Sequence, residues 1–281
     1  MTIRLATFNL LHGVPILGGT NQQSTSALPA GDDQFLREAV ATIDADIIGL
    51  QEVDVWQPRS SLVHQVSSVA EALGAAEWLF AASVDGTPGE DGWVEAGDHH
   101  IHGSADVGQP LLETPLYGVG LVTRRPVQSW RTIRFDAAPM SLPLLIPAQP
   151  RPRVVKVADE PRSAIAAVIE GDRGIFTVAT AHLSFVPGFN IRQLRQLRNW
   201  LADLPRPLVL MGDFNLPGAL PARITGYTSL VKQPTYPSMR PTAQLDHVLA
   251  DGLAPNAMAA SAVVHLLPVS DHAAVSVDLD L

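Results

Sequence analysis

Short apolar runs rich in Val, Ile, Leu and Thr recur along the chain and set its expected architecture. They are "IRLATF" (3–8), "DIIGLQ" (46–51), "YGVGLVT" (117–123), "SAIAAVIE" (163–170), "GIFTVATAHL" (174–183), "PLVLMGD" (207–213), "QLDHVLA" (244–250) and "AAVSVDL" (273–279). Turn-forming flanks and β-branched content favour strands, and "GDRG" (171–174) reads as the turn of a hairpin. Helical patterns cover Asp33–Ile43, Leu62–Leu73 and Asn190–Leu204, the first and last opening near an Asp or Asn cap. Residues 85–115, rich in Gly, Asp and His, read as a loop. So do residues 137–162, whose six prolines exclude a regular helix. Strands that outnumber helices of ten or more residues predict packed sheets with helices outside. With no internal repeat or linker-like tract, residues 1–281 read as a single domain.

The polar residues break this pattern at particular places. Asn9 ends the first run, Gln51 and Glu52 the second, and His182 the fifth. Asp213 and Asn215 follow "PLVLMG", Asp246 interrupts an apolar run, and Asp271 and His272 precede the last one. Each has an ordinary explanation as a turn former, a solvated strand end or a hydrogen-bonded core histidine. Repetition at six strand ends weakens those explanations together, because a polar side chain just past a buried strand is held rigidly with its head free to face a cleft. Gly212 permits a tight turn in "GDFN", and Asp213 and Asn215 alternate with Phe214 so as to point the same way. A carboxylate inside an apolar strand needs a partner, and histidine is the natural one for Asp246.

Composition narrows the chemistry. With 46% hydrophobic and 17% charged residues the chain can bury a sizeable core. Nineteen Lys and Arg against 28 Asp and Glu give a net charge of -9, which argues against non-specific binding to a phosphate backbone. The absence of cysteine excludes a disulfide framework and thiol redox catalysis. No long apolar segment suggests a leader or a bilayer span, so the sequence is expected to be that of a soluble, cytoplasmic protein. Oxygen ligands without cysteine suit a hard cation such as Mg²⁺ or Mn²⁺. A carboxylate–imidazole pair suits a developing negative charge, and an Asp beside an Asn suits water activation. Together these parts describe metal-assisted attack of water on a phosphoester.

In order along the chain, "TFNLLHG" (7–13), "LQEVD" (50–54), "TAHL" (180–183), "MGDFNLP" (211–217), "QLDHVLA" (244–250) and "SDH" (270–272) resemble the motifs of the endonuclease/exonuclease/phosphatase superfamily, the deoxyribonuclease I-like proteins. The resemblance implies an α/β (α+β) four-layered sandwich, two mixed sheets face to face with helices outside. It implies Glu52 as the direct metal ligand, with Asn9 and Asp271 on the metal side. It implies Asp213 as the residue that orients or deprotonates the attacking water, with Asn215 beside it. His272 is implied to contact the scissile phosphate, Asp246 to orient His272, and His182 to donate to a phosphate oxygen. Two positions depart from the family pattern: Val119 stands where many members carry Asn, and Leu11 stands where nucleases of the apurinic-site type carry an acid. Both argue against that DNA-repair specificity while leaving hydrolysis intact.

The expected reaction is divalent-metal-dependent hydrolysis of a phosphodiester, of nuclease or phospholipid-headgroup type. A phosphomonoesterase acting on a small metabolite or inositol phosphate, and a non-catalytic binding protein on the same fold, are the alternatives. The charge balance disfavours long duplex DNA as partner. His12 and Arg59 are further candidates for substrate binding, Arg59 through bidentate contact with phosphate. "DHHIH" (98–102) resembles a transition-metal cluster, but within a Gly-rich loop the solvated rim is the preferred reading. Arg192, Arg195 and Arg198 read as a solvent-facing helix stripe, and the five tryptophans are too scattered to form a stacking platform.

Overall fold

The computed structural model describes residues 2–13, 15, 31–90, 92–98, 100–107, 114–146, 153–254, 257 and 261–281. Strands β1 (Thr2–Asn9), β2 (Ile47–Val55), β3 (Glu77–Asp85), β4 (Val94–Glu95), β5 (Ile101–Gly103) and β6 (Leu116–Thr123) belong to one sheet. A second sheet begins with β7 (Val127–Phe135), while β8 (Ser141–Ile146) and β9 (Arg153–Ala158) pair only with each other. The second sheet continues with β10 (Arg162–Gly171), β11 (Gly174–His182), β12 (Leu208–Asp213), β13 (Thr228–Ser229) and β14 (Asp246–Asp251). The chain then returns to the first sheet through β15 (Val263–His265) and β16 (Ala274–Asp280). The spatial orders are β15-β16-β1-β2-β6-β3-β4, with β5 against β3, and β13-β14-β12-β11-β10-β7. Both sheets are mixed: β1 runs parallel to β2 and antiparallel to β16, and β12 runs parallel to β11 and antiparallel to β14.

Alternation along the strands makes the layers. On β1, Ile3 and Leu5 face the other sheet, where they meet Val178, Val209, Met211 and Val248. Ala6 and Phe8 face outward, where α1 (Gln34–Ile43) and α2 (Gln65–Leu73) cover them with Leu36, Val40, Ile43, Val66 and Val69. On the far side, α3 (Phe189–Trp200) packs Leu194 and Leu197 on Ala179, Leu208 and Leu210, with α4 (Leu220–Thr225) beside it. Each fully buried Leu, Ile or Val in these layers contributes about 1.5–3 kcal/mol by leaving water. The result is the four-layered sandwich that the motifs imply. The sheets approach so closely that a Cβ on Gly49 would lie 2.4 Å from the Thr180 hydroxyl across the interface. No helix among the described residues is long and apolar enough to cross a membrane.

Several expected boundaries move. The second run does not stop at Gln51 but continues through a bulge to Val55, because the strand beyond the bulge still pairs with β6. The first helix begins at Gln34 after Asp33, whose side chain makes no capping bond. The second begins at Gln65, where His64 accepts the Ser67 N–H. The third starts at Phe189 after Gly188 and closes at Trp200, so Asn190 is an internal residue and no cap. The two expected loops carry strands: β4 and β5 in one, the β8–β9 hairpin in the other. Proline bars a helix but not an edge pairing, and Pro143 sits in β8 opposite Lys156. Strands β3 and β7 lie outside the expected set. β7 is the edge of its sheet and only Phe135 in it is buried, so it lacks the apolar run that marks the inner strands.

Gly212 is the last position of β12 before Asp213, with φ at 143°, and a Cβ there would stand 2.0 Å from the Ala181 carbonyl oxygen. Gly212→Ala therefore combines backbone strain with a clash against a rigid neighbouring strand. We expect a loss of about 3 kcal/mol or more in denaturant unfolding; an unchanged midpoint would show that β11 and β12 can separate there without cost.

Candidate functional site

Strand register brings the polar residues to one end of the sandwich. Asn9 closes β1 opposite Gln51 of β2. His182 closes β11 opposite Asp213 of β12, and Asp213 in turn stands opposite Asp246 of β14. Asp271 and His272 arrive just ahead of β16. Glu52 reaches the cluster through the bulge in β2, where its φ is 52°. The left-handed region recurs around this end, at Leu11, His12, Asn215 and Ser270. Such backbone is costly for residues other than glycine and persists where the surroundings impose it.

Asn9 is the hub. Its amide nitrogen donates to Glu52 Oε1 at 3.0 Å and to Asp213 Oδ2 at 3.0 Å, while its oxygen accepts the Leu11 N–H. Asp213 Oδ1 accepts the Asn215 N–H at 2.9 Å. Asp246 Oδ2 lies 2.9 Å from His272 Nδ1 and also accepts the Thr235 hydroxyl. The other ring nitrogen of His272, Nε2, lies 3.7 Å from Asp213 Oδ2. His182 Nε2 is 3.7 Å from the same oxygen and 4.0 Å from Glu52 Oε1. The Asn215 amide nitrogen lies 3.4 Å from it and donates to the Leu183 carbonyl. Glu52, His182, Asp213, Asn215, Asp271 and His272 line one cavity of about 370 Å³, with His12, Arg59 and Tyr236 in its walls.

Burial and crowding set the charges. Burial opposes an imidazolium at His272, but Asp246 and Asp213 outweigh it and push the group up to about 10. Burial raises Asp213, and the Asp246 charge raises it further against the pull of His272. Asp271 is raised by burial and by the nearby Glu52. His182 goes the other way, held well below its ordinary value by burial and by the Arg162 guanidinium. Buried carboxylates raised by one another mark a place short of positive charge. That shortage and the oxygen-only donors Glu52 and Asp271 fit a hard divalent cation. Asp213, Asp246 and His272 also offer ligand atoms within 4.8 Å of one another. In this geometry His272 Nδ1 and Asp246 are already committed to their mutual hydrogen bond, which suits a charge relay better than coordination.

His12 and Arg59 form a separate unit on the cavity wall. Arg59 donates to both oxygens of Asp54, at 2.8 and 2.7 Å, and His12 Nδ1 lies 3.5 Å from Asp54 Oδ1. The Arg59 guanidinium also lies over the Tyr117 ring. The His-rich stretch is divided: His100 faces Asp85 at 3.6 Å, and His102 packs against Trp56, His64 and Phe80. His99 of that stretch lies outside the described residues. Sequence reasoning missed Asp54, Tyr117, Glu160, Arg162, Thr235 and Tyr236. The "LQEVD" motif contained Asp54, and "EPR" placed a charge pair just before a strand; Thr235 and Tyr236 carried no signal, since a turn far along the chain delivers them.

A sequence model of the endonuclease/exonuclease/phosphatase family matches residues 6–272. No curated protein matches the chain. Among solved structures, an endonuclease/exonuclease/phosphatase from Bacteroides vulgatus is similar, with a TM-score of 0.62 and 17% identity over 100% of this chain and 99% of that one. One from Beutenbergia cavernae gives a TM-score of 0.60 at 18% identity, over 100% of this chain and 72% of that one. A mannosyl-6-phosphatase from Bacteroides thetaiotaomicron gives 0.59 at 15% identity, over 99% of this chain and 100% of that one.

Burial opposes ionisation of Asp54, yet His12 and Arg59 bring it down to about 2. Its contribution to stability is therefore present above the unfolded carboxylate value and lost as pH falls through about 2. We expect Asp54→Asn to cost about 2 kcal/mol at neutral pH, with the gap to wild type closing on acidification. Urea titrations across that range test it, and a gap independent of pH would assign Asp54 a role in packing alone.

Proposed function

The chain belongs to the endonuclease/exonuclease/phosphatase family, and from that premise we propose that it hydrolyses a phosphoester by metal-assisted attack of water. The observation that carries this reading is the Asp246–His272–Asp213 arrangement, in which a carboxylate-held imidazole and a second carboxylate face one cavity beside Glu52 and Asp271. A protein that only binds has no use for such a relay.

Each residue then has a task. Asp213, fixed by Asn9 and by the Asn215 N–H, holds the attacking water and accepts its proton. Burial raises its proton affinity, which makes it a better base than an ordinary carboxylate. His272 gives its Nδ1 proton to the hydrogen bond with Asp246 and presents Nε2–H to a phosphate oxygen. Asn215 and His182 address the same region. Glu52 and Asp271 hold the cation, with the Asn9 amide orienting Glu52. Bound there, Mg²⁺ or Mn²⁺ supplies Lewis-acid neutralisation of charge on the phosphate. His12 and Arg59 line the same cavity and are assigned the alcohol portion of the substrate in this reading.

A phosphodiester of a small alcohol or a lipid headgroup is the first substrate class to test. The small volume of the cavity, about 370 Å³, favours a small phosphomonoester as a second reading, and the structural likeness to a mannosyl-6-phosphatase supports it. The net charge of -9 argues against long duplex DNA. A panel of nucleic acids, phospholipids, inositol phosphates, sugar phosphates and nucleotides, with Mg²⁺ and with Mn²⁺, separates these classes.

Chelation should abolish turnover and either cation should restore it; full activity after exhaustive chelation would refute the metal-assisted reaction. Asp213→Asn and His272→Ala should each lower kcat on the order of 10²–10⁴-fold while the protein stays folded. Near-normal kcat in either folded variant removes that residue from the mechanism. Asp246→Asn keeps the shape but removes the charge that raises His272. The imidazole then loses its proton at lower pH, so the alkaline fall in kcat should move toward neutrality. An alkaline limb that stays in place would make Asp246 a purely structural partner.

A further inference from the structure

The turn from Leu11 to Gly13 is held in a costly shape. Leu11 and His12 both take left-handed torsions, with φ at 43° and 61°, and leucine seldom adopts them. Two hydrogen bonds impose the turn: Asn9 accepts the Leu11 N–H, and the Gln65 amide donates to the His12 carbonyl at 2.7 Å. The Gln65 oxygen accepts the Asp54 N–H at 2.8 Å, so one buried amide ties the turn to β2 just past Glu52. Asp54 in turn grips Arg59 through Nε and Nη2. His12 and Arg59 thus reach the cavity from two separate turns, both fixed before a substrate arrives.

Tyr117 gathers this group. The Arg59 guanidinium lies over its ring, the His12 ring packs 5.8 Å from it, and its hydroxyl bonds to Glu160. What Arg59 leaves for the cavity is direction without surplus charge. Of the five N–H groups on a guanidinium, Asp54 takes two, and Nη1 has no hydrogen-bond partner among the described residues. The positive charge is balanced in the same contact, because Asp54 is fully buried with both oxygens on Arg59. Arg162, the other arginine of the cavity, is balanced by Glu160 at 3.0 Å and Asp159 at 3.7 Å. A second anionic group on the substrate would find no unspent positive charge here, and it would face Glu160 and Glu52. A hydroxyl suits the same surroundings. Its oxygen accepts from the Arg59 fork, and its proton goes to Glu160 or to the His12 ring, which a hydroxyl serves in either tautomer.

We propose that His12, Arg59 and Glu160 form a subsite for neighbouring hydroxyl groups, so that the alcohol portion of the substrate is a polyol such as a sugar, a cyclitol or glycerol. The inference rests on the phosphoesterase reading and names the substrate class of its cavity. Selection by hydroxyl groups is steep, because an analogue without them leaves desolvated donors and acceptors unpaired.

The test compares esters on one ring size: inositol monophosphate, cyclohexyl phosphate and ortho-carboxycyclohexyl phosphate, each also as its methyl diester, with Mg²⁺. Glucose phosphate and glycerol phosphate extend the polyol arm. The best polyol should exceed the bare ring in kcat/KM by on the order of 10²-fold or more. A bare ring hydrolysed as well as every polyol, or a carboxylate ester preferred to them, overturns the proposal. Arg59→Lys keeps a charge for Asp54 but loses the planar fork. In it the preference for the polyol should fall about 10-fold or more, mainly through KM. His12→Asn, which accepts the left-handed turn, should lower the same preference. A wild-type preference in folded Arg59→Lys overturns the proposal; where that variant does not fold, His12→Asn decides by the same criterion. If no ester is hydrolysed, the phosphoesterase reading fails on its own. Calorimetric titration of the same esters then decides the subsite, with tighter binding of the polyol expected and equal binding overturning it.

Discussion

Four carboxylates, Glu52, Asp213, Asp246 and Asp271, gather at one end of the seam between the sheets, and the fold is organised around making that tolerable. Each charge taken out of water costs several kcal/mol unless hydrogen bonds and opposite charge offset it. The offsets come from distant parts of the chain. Asp246 is met by Thr235 and His272, Asp213 by Asn9 and the Asn215 N–H. His272 is the central cation, and it keeps its proton because the acids around it outweigh its burial. Neither sheet contains a stable set of charges alone. Asn9, Glu52, Asp271 and His272 come with the first, and His182, Asp213, Asn215 and Asp246 with the second.

An apolar interface by itself would leave the two sheets free to slide, since hydrophobic contact is non-directional. A short polar seam prevents this near the reaction centre. The Thr7 hydroxyl donates to Gln51, and the Gln51 amide donates across to Thr180. Gly49, two residues earlier on β2, lets the sheets close enough for that bond to form. Thr7 and Gln51 are each two residues or one from Asn9 and Glu52, so the contact that aligns the sheets also fixes their distance from Asp213.

The layers were legible in the sequence because apolar, β-branched runs with turn-forming flanks are local signals, and the strand-end acids were legible because they interrupt those runs. "LDHV" showed a buried carboxylate, and the motif order linked it to a histidine some 25 positions on. What escaped was whatever depends on long-range delivery. Arg162 looks like a charge before a strand until β11 places His182 beside it. Thr235 looks like a turn residue until β14 brings Asp246 under it. The hairpin of β8 and β9 escaped because its prolines made the stretch read as a loop, and the bulge at Glu52 because it exists only against β6. The proposed roles of the site residues rest on chemistry read from their arrangement, which the sequence suggested only as an ordered set.

The left-handed backbone at Leu11, His12, Glu52, Asn215 and Ser270 has an evolutionary consequence. At each of these positions glycine would relax the main chain, so selection for a tougher protein and selection for a working one pull in opposite directions. Glu52 feels this conflict most, since its carboxylate faces the cavity and, unlike Asn215, it is not a residue type that tolerates this region readily. A lineage released from its substrate would be expected to drift there first, shedding strain while the sandwich around it stays intact. Asp44 and Ser61 take the same torsion only to end helices, so it is the strained backbone together with a side chain turned into the cavity that sets Glu52 apart.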